Sequence, residues 1–324
     1  MLLPHSRTGR PRGWLATVLL AAALAGCTDP RTSAAGDVRA DTAAAPDAAT
    51  ARTVRDDAGR TVTLPRPARR VLSLIPAQTD VVVRLAGAGV LVARTAWDHD
   101  PALAHLPSTE NALAPSVEWI AALAPDLVLA WPDESSRTVI ARLESVGIPV
   151  YASSVESLAD IDTMILRLGA LLGRERAADS LRTAVHAQLE AVRTRVAGRP
   201  RPRVLYAVSL DPPMTVSDGT YLGELLAVAG GDNLFADLNT LWPQVGLEEI
   251  VRRAPGVIVR PAESAEEDVL ALLRRRAGWR DLPAVRAGRV HAVDVNLLNR
   301  PGARIGEAAE VLARAIHPQA FEPR

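Results

Sequence analysis

Short apolar runs alternate with longer stretches of helical spacing along most of this chain. Val71-Leu72-Ser73-Leu74-Ile75 reads as a buried strand, and Thr79 to Leu85 then carries apolar residues three and four apart. Val90 to Ala93, Leu127 to Ala130 and Val150 to Ala152 read as further strands, with helices predicted over Ser116 to Leu123 and Ser135 to Val146. Ahead of them, Thr53-Val54-Arg55 and Thr61-Val62-Thr63-Leu64 alternate about Asp57-Ala58-Gly59-Arg60, the pattern of a β-hairpin. Strands that alternate with helices predict a parallel sheet covered by helices.

From Ser157 the period changes. Leu158, Ile161, Ile165, Leu168 and Leu172 keep helical spacing up to Gly173, and Ala177, Leu181, Val185, Leu189, Val192 and Val196 do so again. No glycine or proline interrupts Arg174 to Ala197, and a continuous helix there would be about 35 Å long at 1.5 Å per residue. Gly198-Arg199-Pro200-Arg201-Pro202 stops it, and the alternation resumes at Val204 to Val208.

The two halves echo one another. Glu118-Trp119-Ile120-Ala121-Ala122-Leu123-Ala124-Pro125 is matched by Glu248-Glu249-Ile250-Val251-Arg252-Arg253-Ala254-Pro255, and each leads into a strand pattern. Arg70-Val71-Leu72 is matched by Arg203-Val204-Leu205, and Ala86-Gly87-Ala88-Gly89 by Ala229-Gly230-Gly231-Asp232, in the same order. The expected fold class is therefore α/β: two Rossmann-like lobes with parallel sheets, joined by a single long rigid α-helix. The expected boundaries are an N-terminal lobe at 52–156, a helical connector at 157–198 and a C-terminal lobe at 199–324.

The first fifty residues follow a different rule. Arg7, Arg10 and Arg12 precede an apolar stretch from Trp14 to Ala25, and Leu24-Ala25-Gly26-Cys27 closes it. A basic segment, a short apolar core and small residues before a cut site describe a secretory signal peptide at 1–27. The apolar run is shorter than the roughly 20 residues that span a bilayer. Leu-Ala-Gly-Cys also resembles the bacterial lipobox, in which the cysteine is lipidated and becomes the first mature residue. Residues 28–51 hold Ala, Thr, Asp, Ser, Pro and Gly without apolar periodicity, which reads as a disordered tether. The expected location is the extracytoplasmic face of the cell envelope, with Cys27 anchored to a membrane by lipid.

Composition narrows the class further. Residues 1–27 hold three of the 37 basic residues and none of the 37 acids, so 34 basic side chains remain against 37 acidic ones. That balance argues against a nucleic-acid partner, which requires a basic stripe to neutralise phosphates. A single cysteine excludes an internal disulfide. Stability must come from packing, and 48% hydrophobic residues suffice for a core.

Catalytic constellations are sparse. No Gly-x-Ser-x-Gly, His-Glu-x-x-His or Gly-x-x-x-x-Gly-Lys motif occurs. Asp98-His99-Asp100 is the densest group of metal-capable side chains; it can be read as a ligand set or as a solvated loop whose acids cap the turn at Pro101. His186 is expected on the exposed side of the long helix, and His291 inside a strand. Tryptophan says more. Aromatics form only 3% of the chain, yet six are tryptophan. Trp97, Trp131 and Trp242 all follow the ends of predicted elements, where ligands bind in open parallel sheets. Indoles there suit a flat, largely apolar ligand, or each caps the core of its own lobe. Trp119 and Trp279 are expected in packing roles.

Several phrases resemble the cobalamin-binding proteins among the periplasmic substrate-binding proteins of bacterial importers. They are Ala124-Pro125-Asp126-Leu127-Val128-Leu129-Ala130-Trp131, Asp211-Pro212-Pro213, Ala229-Gly230-Gly231-Asp232-Asn233 and Trp242-Pro243-Gln244-Val245 followed by Glu248. The resemblance runs from about Val54 to Ile316, and the family also serves ferric siderophore and haem import. It implies the class III binding-protein fold, with a ligand held between the lobes and small closure on binding. Trp97 falls where the cobalamin binders carry a tyrosine, and Trp131 and Trp242 fall on matching tryptophans. Met214 replaces a phenylalanine, while Asn296 and Arg300 fall near polar contacts to the ligand's amide rim. The stretch Glu110-Asn111-Ala112-Leu113 lacks a tryptophan that those binders carry. Glu118 and Glu248 fall on the glutamates that dock on a permease.

The implied function is a lipid-anchored, monomeric receptor that delivers a corrinoid to an ABC permease and ATPase complex. It implies no enzyme activity and no resident cofactor or metal. The alternatives are a ferric-siderophore receptor; a haem receptor with His99 as axial ligand; a metal-dependent envelope enzyme using Asp98, His99 and Asp100; and a structural or sensory lipoprotein.

Overall fold

Strands form where the sequence is apolar on both faces, and helices where it is apolar along one stripe. A computed structural model describes residues 51–109, 112, 115–264 and 268–322. Cys27, the expected signal peptide and the expected tether up to residue 50 lie outside the described residues, as does most of Glu110 to Leu113. Among the described residues no helix is long and apolar enough to cross a membrane.

An antiparallel hairpin, β1 (Arg52–Arg55) and β2 (Thr61–Leu64), opens the folded unit. The first lobe follows: β3 (Val71–Ser73), α1 (Pro76–Ala86), β4 (Leu91–Thr95), β5 (Ser108–Thr109), α2 (Val117–Ala122), β6 (Leu127–Ala130), α3 (Glu134–Ser145) and β7 (Val150–Ala152). Its strands form a parallel sheet in the order β5-β4-β3-β6-β7. Two helices, α4 (Leu158–Leu172) and α5 (Glu175–Val196), lead to the second lobe. That lobe begins with β8 (Arg203–Tyr206), the hairpin strands β9 (Ser209–Leu210) and β10 (Pro213–Met214), α6 (Tyr221–Val228), β11 (Asp232–Asn233) and α7 (Leu247–Arg253). It continues with β12 (Val257–Ala262), α8 (Val269–Arg275), α9 (Pro283–Arg286), β13 (Val290–Asp294), α10 (Val295–Leu298) and α11 (Ile305–Ile316). Its parallel sheet has the order β11-β8-β12-β13.

The sequence echoes coincide with equivalent strand registers. Val71 pairs with Leu127 and Leu72 with Val128 in the first sheet, as Val204 pairs with Val257 and Leu205 with Ile258 in the second. Asp126 N–H donates to the Arg70 carbonyl (2.8 Å) as Gly256 N–H donates to that of Arg203 (2.9 Å). Both Ala-Pro phrases sit in the same turn, with Ala124 at φ 46° and Ala254 at φ 50°. A left-handed alanine is uncommon, so the same strained exit from a helix at both places marks a shared local structure.

The long helix expected over Arg174 to Ala197 is present as α5, and α4 precedes it. The helical region consists of two helices, because Gly173 takes a left-handed conformation (φ 62°) that closes α4. Ser157 and Asp160 form a reciprocal cap at the other end of α4. The second helix, α5, has 22 residues and is about 33 Å long. One apolar cluster runs from Val71 and Leu127 of the first sheet through Ile165 and Leu168 of α4 and Val185 and Leu189 of α5. It continues into Leu225 of α6, Leu312 of α11 and Val204 and Val259 of the second sheet. Smaller clusters fill the opposite faces of the two sheets, around Ile120 and Leu143 and around Phe235 and Trp279.

The turn between α4 and α5 is close-packed. A Cβ at Gly169 would lie 2.4 Å from the Ala178 Cβ. Gly169→Ala should therefore destabilise the fold by about 1–3 kcal/mol, as overpacked cores do, in urea denaturation followed by circular dichroism.

Candidate functional site

A parallel strand ends with its side chains and the following loop at one edge of the sheet, and helix N-termini gather there. The carboxyl ends of both sheets open on one cavity of about 600 Å³. Ile75 after β3, Trp97 after β4, Trp131 after β6 and Ser153 after β7 line it from the first lobe. Val208 after β8, Glu263 after β12 and Val295, Asn296 and Arg300 around α10 line it from the second. The volume falls within the roughly 300–1,000 Å³ common for small-molecule sites.

Trp97 and Trp242, 43% and 38% exposed, are the largest side chains among the exposed hydrophobics, and both line the cavity with the half-buried Trp131. Trp119 packs against the core of its lobe and Trp279 is buried in the other, so neither reaches the cavity. The exposed indoles are held by their backbones. Thr95 donates through its N–H (2.7 Å) and its hydroxyl (2.8 Å) to Asp98 Oδ2, closing the turn that presents Trp97. Thr215 N–H donates to the Pro243 carbonyl (3.0 Å) and Ser217 N–H to that of Leu241 (3.1 Å), flanking Trp242. Met214 is half-buried and is not among the cavity-lining residues. It pairs with Gln244 across a β-bridge, which supports the Trp242 segment from behind.

Arg300 spans the two lobes. Its Nη2 donates to Asn296 Oδ1 (2.7 Å) and to the Trp97 carbonyl. The cavity carries two exposed carboxylates, Glu156 and Glu263, beside this one arginine. Burial and neighbouring Asp160 hold the Glu156 carboxyl above the usual carboxylate range. Behind the cavity, Asp80 on α1 is half-buried near Arg300, Arg304, Arg84 and Asp98. Desolvation outweighs those arginines and raises its carboxyl above the ordinary value.

The Asp98-His99-Asp100 group divides by role. Asp98 is buried and serves the Trp97 turn, Asp100 Oδ1 accepts from Ala102 N–H (2.9 Å), and only His99 lines the cavity. Among the described residues no group of three or more His, Cys, Asp or Glu could hold a metal ion. His186 is exposed and meets Asp162 at 2.6 Å, between α5 and α4. His291 lies within β13.

Glu118 and Glu248 are exposed, and each is the second residue of its helix, α2 or α7. Glu118 accepts from the Ser116 hydroxyl (2.9 Å) and pairs with Arg142 (2.7 Å). Its own backbone N–H, Ser116 and Arg142 lower its pKa.

Several cavity residues have no signal in sequence pattern, the most buried polar ones among them being Gln78 and Ser153. Gln78 in the first turn of α1 and Ser153 after β7 are each 1% exposed; Gln78 Oε1 has no hydrogen-bond partner, and Ser153 Oγ neighbours the Tyr151 hydroxyl. A lone glutamine or serine is silent until both sheet edges are assembled around the same space.

Two parallel sheets whose strand ends share one tryptophan-lined cavity define a ligand receptor. Residues 71–297 match the periplasmic binding protein family, and the chain belongs to it. It is a substrate-binding protein of an ABC transporter, with an extracytoplasmic place of work. An ABC transporter substrate-binding lipoprotein of Bacillus subtilis, YvrC, is 28% identical over 95% of this chain and 98% of its own length. A cobalamin-binding protein of Halobacterium salinarum is 32% identical over 94% of this chain and 85% of its own. The crystal structure of a periplasmic vitamin B12-binding protein, BtuF of Vibrio cholerae, superposes with a TM-score of 0.66 at 27% identity. That match covers 79% of this chain and 99% of that one.

Asp80 supplies a pH test of these electrostatics. Its raised pKa means that ionisation opposes folding, so the stability it contributes is present below its unfolded value and lost as pH rises through the folded one. Asp80→Asn should raise the thermal midpoint at pH 7, and the gain should vanish near pH 3.8, in scanning calorimetry across that range.

Proposed function

We propose that this protein captures a corrinoid of the cobalamin type in the cavity between its lobes and delivers it to an ABC permease. The observation that carries this reading is the pair of exposed indoles, Trp97 and Trp242, facing the same cavity as Trp131. Such surfaces are exposed to water at a cost that a flat ligand removes by stacking and burial. Asn296 and Arg300 supply polar contacts at the edge, and Met214 contributes through the Trp242 segment. The names of the Halobacterium and Vibrio relatives support the same ligand class. No resident cofactor and no chemical step is part of this role; the corrinoid is cargo.

Charge separates this reading from the others. Ferric siderophores are commonly anionic and haem carries two propionates, whereas the cavity sets Glu156 and Glu263 against Arg300 alone. One feature favours haem, namely His99 at the cavity wall, where an imidazole could ligate iron. Asp98 is buried, and Asp98 Oδ2 and Asp100 Oδ1 accept local hydrogen bonds, so neither acid stands with His99 at the cavity wall, which weakens the metal-enzyme reading.

The remaining assignments complete the role. Cys27 carries the lipid, residues 28–51 act as slack, and Glu118 and Glu248, one from each lobe, dock the monomeric receptor on the permease. Two chemically equivalent carboxylates at the second position of α2 and α7 suit a permease surface that is itself basic at two points.

Purified residues 52–324 mixed with cobalamin, cobinamide, haemin and a ferric siderophore should co-elute with the corrinoid colour. Haemin binding that is lost in His99→Ala would instead establish the haem reading. Trp242→Ala should weaken corrinoid binding by about 1–3 kcal/mol in calorimetric titration. Glu118→Arg with Glu248→Arg should abolish uptake in cells while leaving the dissociation constant of the purified receptor unchanged.

A further inference from the structure

The floor of the cavity in the first lobe holds a polar group that the fold leaves unused. Helix α1 has 11 residues and begins at the cavity, with Ile75 as its N-cap and Pro76 at its first position. No side chain caps it, and proline brings no N–H, so the Ala77 N–H is an end donor without an internal acceptor. One residue on stands Gln78, 99% withdrawn from solvent, whose Oε1 has no hydrogen-bond partner. Ser153 Oγ, from the end of β7 on the same cavity, is likewise buried, with the Tyr151 hydroxyl as its neighbour. An unpaired buried amide oxygen carries an uncompensated desolvation cost, and a folded protein keeps one where something else completes it.

We propose that Gln78, the uncapped start of α1 and Ser153 form a subsite for a primary carboxamide of the ligand. An unpaired acceptor requires a donor, which a carboxamide NH2 supplies and a carboxylate, phosphate or propionate does not. The carboxamide carbonyl in turn answers the Ala77 N–H and the Ser153 hydroxyl, in the partial positive field of the helix start. Turning the Gln78 amide over exchanges acceptor for donor, and a carboxamide, which offers both, satisfies either arrangement. Glu156 and Glu263 on the same cavity repel an anionic group in its place. The subsite rests on the corrinoid reading and deepens it. A corrinoid ring bears carboxamides around its rim, and this site would distinguish an intact rim from one hydrolysed to a carboxylate. Gln78 is thus a specificity-determining residue on the opposite lobe from Asn296 and Arg300.

The test is titration of the intact folded receptor with cobalamin and with the separated isomers of cobalamin in which one rim carboxamide has become a carboxylate. The wild type should bind one isomer about tenfold more weakly than cobalamin, the equivalent of one hydrogen bond. Gln78→Met should lower cobalamin affinity about tenfold and remove that discrimination. Its thermal midpoint should hold or rise, because an apolar chain of similar shape replaces an unpaired amide. Gln78→Leu, which likewise removes the acceptor, serves as a second variant and should lose cobalamin affinity to a similar degree. If Gln78→Met, Gln78→Leu and Ser153→Ala all keep both affinity and discrimination, the subsite is wrong while the corrinoid reading stands. If the wild type binds haemin or a ferric hydroxamate and no corrinoid, or binds none of them, both fall together.

Discussion

The burial of α4 and α5 in one apolar cluster shared by both sheets is the constraint on which the rest of this protein depends. Ile165, Leu168, Val185 and Leu189 touch a core that also holds Val71 and Leu127 of the first sheet and Val204 and Val259 of the second. Separating the lobes would expose that shared surface, at roughly 25 cal/mol per Å² of apolar area. Polar ties add to it: Glu224 of α6 accepts from the Leu158 N–H at the start of α4 (2.8 Å), and Arg84 of α1 reaches Glu307 of α11 (3.6 Å). Gly302 lies against the Ala77 carbonyl, where a Cβ would come within 3.0 Å. The spacing between the two sets of strand ends is therefore set by packing, and with it the width of the cavity.

That arrangement explains why the cavity-lining tryptophans come from loops and yet are held in place. Trp97, Trp131 and Trp242 each follow a strand or a paired segment, so their backbones are anchored although their rings are free. Arg300 ties the Trp97 carbonyl to Asn296 and closes the edge of the cavity from the second lobe. A receptor built in this way meets its ligand with most of the site already in place, so little ordering entropy opposes binding. The proposed docking surface is built on the repeat. Glu118 and Glu248 occupy the same position in two helices that leave by the same left-handed alanine.

The electrostatics of the cavity separate ligand classes more sharply than its shape does. A single arginine already engaged by Asn296 and a backbone carbonyl offers little to an anion, while two glutamates oppose one. Neutral polar contacts remain, in Gln78, Ser153 and Asn296, and these favour a ligand that presents amides around an apolar face.

Much of the fold was legible in the chain because its signals are local. The strands Leu127 to Ala130 and Val150 to Ala152 are apolar on both faces and bounded by turns, and their limits follow from that pattern alone. The duplication was legible for the same reason, since Ala-Pro after a helix and before a strand is a local phrase. The break at Gly173 between α4 and the long α5 was legible too, whereas the packing of Pro67 against it, 2.8 Å from where a Cβ would lie, was not. The tryptophans could be named from their positions after predicted strands, but the place of Met214 behind Trp242 follows from a bridge to Gln244, thirty residues away. Gln78, Ser153, Glu156 and Glu263 carried no motif, because a lone polar residue acquires meaning from what faces it. The sequence by itself determined the α/β class, the repeat and the candidate indoles, since backbone periodicity and turn chemistry act over a few residues. The tertiary structure decided which side chains share one cavity and which are left without partners, because those depend on contacts between segments that only the packed helices bring together.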